Sequence, residues 1–217
     1  MSEAARDITP SGDGEQARGD TRARIQAIAV ELFSEQGYDK TSLREIAERL
    51  GFTKAALYYH FRSKEDIVRS LVDDYYGQVD AVIAWGRQRR GAPGMREELL
   101  RRYLDVVVQG HDVYRMLHQN QAALGSLASV KERSEMFKER MNAVVDLLAG
   151  PDAPLRDRVG AVIATSGLSI GWMLFHDQAD DPGELHEAVL GIAREIVGAQ
   201  PAGRSTAAAA RTSGSTR

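Results

Sequence analysis

The chain has 217 residues, 43% of them hydrophobic, with a net charge of −3 and no cysteine. Lack of cysteine excludes disulfides, thiol redox chemistry and cysteine-ligated metals. A mean hydropathy of −0.35, with no unbroken apolar run near ~20 residues, argues against a membrane span. The start, MSEAARDITPSGDGEQARGD, has no basic stretch leading into an apolar one, so no secretory signal is read and a cytoplasmic location is expected.

The charge is uneven. Residues 21–64 carry +3, the tail 1–20 carries −3, the tail 200–217 carries +3, and 65–199 carries −6. Attraction to phosphate acts within roughly a Debye length of ~8–10 Å, so a modestly basic head on an acidic body is compatible with DNA binding.

Residues 1–20 are rich in Gly, Ser, Asp and Glu, and 200–217 reads QPAGRSTAAAARTSGSTR. Neither can bury enough surface to offset ordering entropy, and both are expected to be disordered tails. Between them nearly everything reads as helix, because Val and Ile do not fall into alternating runs bounded by hairpin turns. The first helix is expected over 21–36, with Ile25, Ile28, Ala29, Leu32 and Phe33 on one face and Gly37 as its left-handed stop. A second begins after Ser42, whose spacing to Glu45 is that of a capping box. It buries Leu43, Ile46, Ala47 and Leu50 and ends at Gly51. A third starts near Thr53 as N-cap and offers Leu57 and Phe61 to the core. Ser63 caps a fourth, running from Lys64 to about Arg90. Further helices are expected at 94–109, 111–122, 127–148, 154–177 and 182–198, the last with Asp181 as cap and Pro182 at its first position.

Residues 41–64, TSLREIAERLGFTKAALYYHFRSK, carry the functional signal. With Leu43, Ile46, Ala47, Leu50, Leu57 and Phe61 turned inward and Gly51 permitting the bend, the segment makes a helix-turn-helix. The outward face of the third helix is then Lys54, Ala55, Tyr58, Tyr59 and His60. Baring two tyrosines and a histidine costs solubility unless a partner covers them. Ala55 and Ala56 let the backbone approach base edges, and Lys54 reaches guanine acceptors. Tyr58, Tyr59 and His60 donate to phosphates, while Arg44 reaches a base or a phosphate. The competing reading packs Tyr58, Tyr59, His60 and Phe61 inside.

The stretch TRARIQAIAVELFSEQGYDKTSLREIAERLGFTKAALYYHFRSKEDIVRSLV resembles the DNA-binding domain of the TetR family of transcriptional regulators. It matches in order: an amphipathic first helix ending in F-x-x-x-G-Y, then T-S-L-R-E-I-A, the L-G-F turn and L-Y-Y-H-F-x-S-K-E. The resemblance implies an all-α homodimer, with an N-terminal three-helix helix-turn-helix DNA-binding domain over 21–65. A helical ligand-binding and dimerisation domain would follow over 66–199. Carried over by position, the DNA contacts are Ser42, Arg44, Thr53, Lys54, Ala55, Tyr58, Tyr59, His60 and Lys64. Lys64 would hold a phosphate at the start of the fourth helix.

The body says less. Gly160, Ala164, Gly167 and Gly171 recur at three or four residues, and Leu185, Ala188, Val189, Ile192 and Ile196 form an apolar stripe. Two such helices from each subunit would make the four-helix dimer interface that the resemblance implies; alternatively both stripes pack inside one subunit. A dimer would set its heads about one DNA turn apart (~34–36 Å), or a multiple, and favour an inverted-repeat operator. A pocket for a partly apolar small molecule is expected among Trp85, Tyr103, Met116, Leu117, Trp172, Met173 and Phe175, with His118, Asn120, Gln121 and His176 as orienting polar groups; the same residues can equally fill a core. The histidines at 60, 111, 118, 176 and 186 show no H-E-x-x-H, and His111 with His118 has no third ligand. With no G-x-S-x-G and no phosphate loop either, the chain is read as a regulator. No enzyme activity, cofactor or metal is expected. The rival class is a protein–protein module on the same scaffold, then an activator or a ligand-independent DNA binder.

Overall fold

The computed structural model describes residues 12–124 and 129–198. These form ten helices: α1 Gly12–Glu35, α2 Leu43–Leu50, α3 Lys54–His60, α4 Lys64–Gln88, α5 Met95–Gln109, α6 His111–Gln119, α7 Gln121–Leu124, α8 Ser129–Ala149, α9 Leu155–Phe175 and α10 Pro182–Gly198. No strand occurs among the described residues. Of the expected tails, 1–11 and 199–217 lie outside them, but 12–20 is helical. That corrects the reading of 1–20 as wholly disordered. Extending a helix already nucleated by the apolar stripe of 25–33 adds one hydrogen bond for each residue fixed, and Arg18 gains a ring to sit over, that of Tyr59.

The chain forms two compact units, Met1–Gln78 with Gln109–Glu135, and Val79–Val108 with Met136–Arg217. In the first, Ile25, Phe33, Ile46, Leu57, Phe61 and Ile67 are essentially sealed, and Met116 of α6 joins them. Leu43 and Leu50, expected inside, are only half-buried at its edge, because each sits at one end of an eight-residue helix. The expected boundary near 65 therefore misses α6 and α7, which belong with the head.

Asn120 explains why. The first turn after α1 leaves polar backbone groups without helical partners. The Asn120 amide meets them from 82 residues away: its Oδ1 accepts from the Tyr38 N–H at 2.7 Å. Its Nδ2 donates to the Phe33 carbonyl at 3.0 Å and the Met116 carbonyl at 2.8 Å. The same residue breaks the expected 111–122 helix into α6 and α7. Gln26 makes a second tie, donating to Ser70 Oγ at 2.9 Å and Asp74 Oδ2 at 2.6 Å, which joins α1 to α4.

The second unit is built on Leu99, Leu100 and Leu104 of α5, Val144 and Leu148 of α8, Leu168 and Trp172 of α9, and Leu190 of α10. Helix α4 comes close here: a Cβ on Gly86 would stand 2.9 Å from Leu147 Cδ1 and 3.0 Å from Leu99 Cδ1. Arg140 pairs with Asp80 at 2.6 Å and Arg158 with Asp146 at 2.5 Å, so α8 is pinned to α4 and α9. Positive φ at Gly91 (81°) and Gly94 (73°) turns the chain between α4 and α5. Among the described residues α9 is long and apolar enough to cross a bilayer by length and composition, yet its first turn carries Arg156, Asp157 and Arg158.

Candidate nucleic-acid interface

The helix-turn-helix is set by its caps. Ser42 Oγ accepts from the Glu45 N–H at 3.2 Å, and the Glu45 carboxylate accepts from the Ser42 N–H at 2.7 Å, the reciprocal pair of a capping box. These bonds from Ser42, backbone first and hydroxyl second, hold the Glu45 carboxyl below its ordinary range. Gly51 closes α2 at φ 70°, a left-handed geometry that disfavours a side chain. Thr53 Oγ1 then accepts from the Ala56 N–H at 3.1 Å and starts α3.

Helix α3 has two unlike faces. Leu57 is 0% exposed and Phe61, at its end, 2%. Opposite them Lys54 and Ala55 lie bare, Tyr58 is 42% exposed and Tyr59 67%. The reading that buried the two tyrosines is excluded. Lys54 Nζ sits 5.4 Å from the Tyr58 ring centroid, and the Tyr59 and His60 rings meet edge-on at 5.3 Å. Arg44 is exposed and paired with Glu48 at 2.7 Å. Such a solvated pair is worth little and yields to a phosphate.

The structure brings Ser42, Arg44, Thr53, Lys54, Ala55, Tyr58 and Tyr59 to the surface, with His60 and Lys64 half-buried. Besides Arg44, three of them are already engaged. The Ser42 and Thr53 hydroxyls serve as caps. Lys64 Nζ donates to the Tyr38 carbonyl and lies 4.2 Å from that ring's centroid, which leaves part of its donor capacity for an anion. Sequence reasoning missed Tyr38. Its hydroxyl donates to Glu65 Oε1 at 2.7 Å. Burial first, and that bond second, push the phenol up; the bond also holds the Glu65 carboxyl down. Tyr38 therefore fixes the start of α4 beside the reading face.

A sequence profile described as "Bacterial regulatory proteins, tetR family" matches residues 25–71, which span the apolar half of α1 through the first turns of α4. Residues 25–71 are thus similar to the DNA-binding domain of the TetR family. The chain is 34% identical over 85 residues to the transcriptional repressor KstR2 of Rhodococcus jostii, a match spanning 37% of this chain and 42% of that protein. To the transcriptional regulator TtgR of Pseudomonas putida it is 25% identical over 189 residues, 78% of this chain and 88% of that one. A solved transcriptional regulator of Aquifex aeolicus superposes with a TM-score of 0.63 at 22% identity, covering 81% of this chain and 99% of its own. At that identity the likeness speaks for the fold alone.

The second unit bears a bare apolar face. On α9, Leu155, Val159, Ile163, Ile170 and Leu174 are about half exposed or more, and on α10 Ile192 is 60% exposed. The small-residue strip is divided. Ala164 is buried, and a Cβ on Gly171 would stand 3.0 Å from Val189 Cγ1, so these two seat α10 on α9 within one subunit. Gly167 is exposed with nothing within 4 Å of its Cβ position, and Gly160 is half-buried. Leu185, Val189 and Ile196, half-buried, line a shallow α9–α10 groove with Gly167, Phe175 and Ile192.

The expected pocket residues are divided between the two units. Met116 is sealed in the first unit's core, and Leu117 packs against that core. His118 is exposed on α6, the Asn120 amide is spent on backbone, and the Gln121 side chain lies outside the described residues. Phe175 faces out at 52% exposure. Tyr103 and Trp172 are buried in the second unit, with Met173 and His176 half-buried beside them in sequence. Trp85 lies half-buried between Arg89 and Arg102, whose guanidinium carbons stand 5.0 and 4.5 Å from its ring centroid.

Proposed function

We propose that this chain is a cytoplasmic, sequence-specific DNA-binding transcriptional regulator rather than an enzyme, and that it acts as a repressor. The observation that carries the reading is α3. A seven-residue helix with Leu57 sealed beneath it keeps Tyr58 and Tyr59 in solvent, flanked by Lys54 and small Ala55, the chemistry that suits base edges and phosphates. The repressor sense is supported by the name of the KstR2 relative. The functional division is a DNA-binding head ending within α4 and a regulatory body after it.

Dimerisation is supported by the apolar face of α9 and α10, which on a monomer would leave Ile163, Ile170, Leu174 and Ile192 wet. A second copy of the same face covers it with two-fold symmetry, and a symmetric pair of heads reads an inverted repeat. Sedimentation without detergent tests this: a dimer is expected, whereas a monomer, or a chain that dissolves only with lipid, overturns it.

Release by a small, partly apolar molecule is supported by Trp172. Its indole Nε1–H is buried with no acceptor among the described residues, and its ring meets His176 edge-on at 6.1 Å and His186 at 6.4 Å. A ligand acceptor would satisfy that donor, and would weaken DNA binding only by its differential affinity for the two states. The deciding experiment is a mobility shift with DNA flanking the protein's own gene. Binding that is sequence-selective and falls with salt is expected; its absence, with capture of a protein instead, would favour the interaction-module reading.

A further inference from the structure

We propose that Arg18 and Arg22 of α1 bind the DNA backbone beside the recognition helix, so that the contact surface extends beyond the matched segment onto the start of α1. The inference rests on the DNA-binding reading and deepens it. The two residues are four apart and share one face of α1. Arg18 Cζ stands over the Tyr59 ring, 5.8 Å from its centroid, and Arg22 Cζ over the Phe61 ring at 4.5 Å. Arg24, two residues on and so on another face of α1, stands over Phe52, at the turn between α2 and α3, at 5.3 Å. All three are exposed.

Their partners set them apart. Arg49, Arg101, Arg140 and Arg158 each meet a carboxylate, whereas Arg18 and Arg22 have no such pairing among the described residues. A guanidinium that uses its face on a ring keeps its N–H donors in plane at the edge, the geometry that grips phosphate. The ring beneath Arg18 is that of Tyr59, 67% exposed on the reading face. A cation 5.8 Å from that ring's centre lies within about one Debye length (~8–10 Å) of a phosphate set against the same side of the ring. Cation–π contact holds the charge in place before DNA arrives, which lowers the ordering cost of the complex. Phosphate contacts fix register without reading sequence. The two arginines therefore add to affinity on every duplex alike and leave base preference to α3.

The test uses the full chain and two duplexes of about three helical turns (~30 base pairs): one selected from a random pool by the wild-type protein, and one of unrelated sequence. For each variant the slope of log K against log salt concentration is measured. R18Q and R22Q are each expected to flatten the slope by about 0.9 per subunit, to weaken both duplexes by the same factor, and to leave the melting temperature unchanged. R18K, which keeps the charge, restores the slope. R87Q is the control. It removes an equal charge from the exposed far end of α4, 23 residues and roughly 35 Å of helix beyond Lys64, and leaves the slope as it was. A wild-type slope in R18Q, or a lowered melting temperature at unchanged slope, overturns the inference and makes the arginines mere covers for the rings. Should R22Q fail to fold, exposed Arg18 decides alone. If the wild-type chain binds neither duplex, the DNA reading itself falls, and the inference with it.

Discussion

Asn120→Ala is the sharpest test of how the head is held. The side chain is buried at 8% exposure and supplies three hydrogen bonds, to the Tyr38 N–H, the Phe33 carbonyl and the Met116 carbonyl. Met116 keeps a partner after the change, because its carbonyl also accepts from the Asn120 N–H at 3.1 Å. The Tyr38 N–H and the Phe33 carbonyl lose the partner the amide gave them. A buried polar group left unpaired costs about 1–3 kcal/mol, so the substitution should destabilise the chain by about 2–6 kcal/mol, with the lower end reached if water enters the space. Urea unfolding followed by circular dichroism measures it from the midpoint at constant slope. Asn120→Asp separates the two bonds: its carboxylate still accepts from Tyr38 but faces the Phe33 carbonyl, so it should lose part of the stability and recover some as pH falls and the carboxyl protonates. A midpoint for Asn120→Ala equivalent to less than about 0.5 kcal/mol, the range of an ordinary surface change, would refute the claim that α6 anchors the turn before α2.

Tyr59→Ala and Lys54→Ala should each lower operator affinity at least several-fold in titrations at fixed salt, with unfolding free energy within about 0.5 kcal/mol of wild type; unfolding of either would mean the α3 face is packed. Ile192→Asp places a charge on a side chain 60% exposed in one subunit, so it should leave monomer folding intact and shift sedimentation from dimer to monomer, while a retained dimer would place the interface elsewhere. The hydrogen bond from Arg101 holds the Glu98 carboxyl down at about 2, below its usual 4.5. A depressed carboxyl stabilises above its unfolded value and loses that contribution as pH falls through the folded one. Glu98→Gln should therefore match wild type at pH 2 and fall slightly below it by pH 5, by an amount kept small because both partners face solvent; melting curves at the two pH values decide it.

What could be read from the sequence is what local rules decide. The Ser42–Glu45 box, the Gly51 bend, the Thr53 cap and the buried pair Leu57 and Phe61 all follow from spacings under five residues, and α2 and α3 fall where those spacings place them. The bare face of α3 followed from the same bookkeeping, since a short helix with its apolar pair inside has nowhere to hide Tyr58 and Tyr59. The apolar stripe of α10 was visible too, but a stripe cannot say whether its mate is in the same chain. Gly171 turned out to meet Val189 of α10, Ala164 is buried, and Ile163, Ile170 and Leu174 of α9 stayed bare.

What was hidden depends on long-range contacts with no periodic signature. Asn120 lies in a run, MLHQNQAAL, that reads as plain amphipathic helix, and only the meeting with Tyr38 across 82 residues reveals its task. Met116 looked like soft pocket lining and is core of the head for the same reason. This has a functional consequence. The turn that aims α2, the Tyr38 carbonyl that holds Lys64, and the Glu65 that holds Tyr38 are all tied to the asparagine that caps the end of α6. A displacement of α6 by one hydrogen-bond length would release the Tyr38 N–H and loosen the support of Lys64 together. Asn120→Ala is therefore expected to disturb the support of Lys64 as well as the fold, with no change needed in α3 itself.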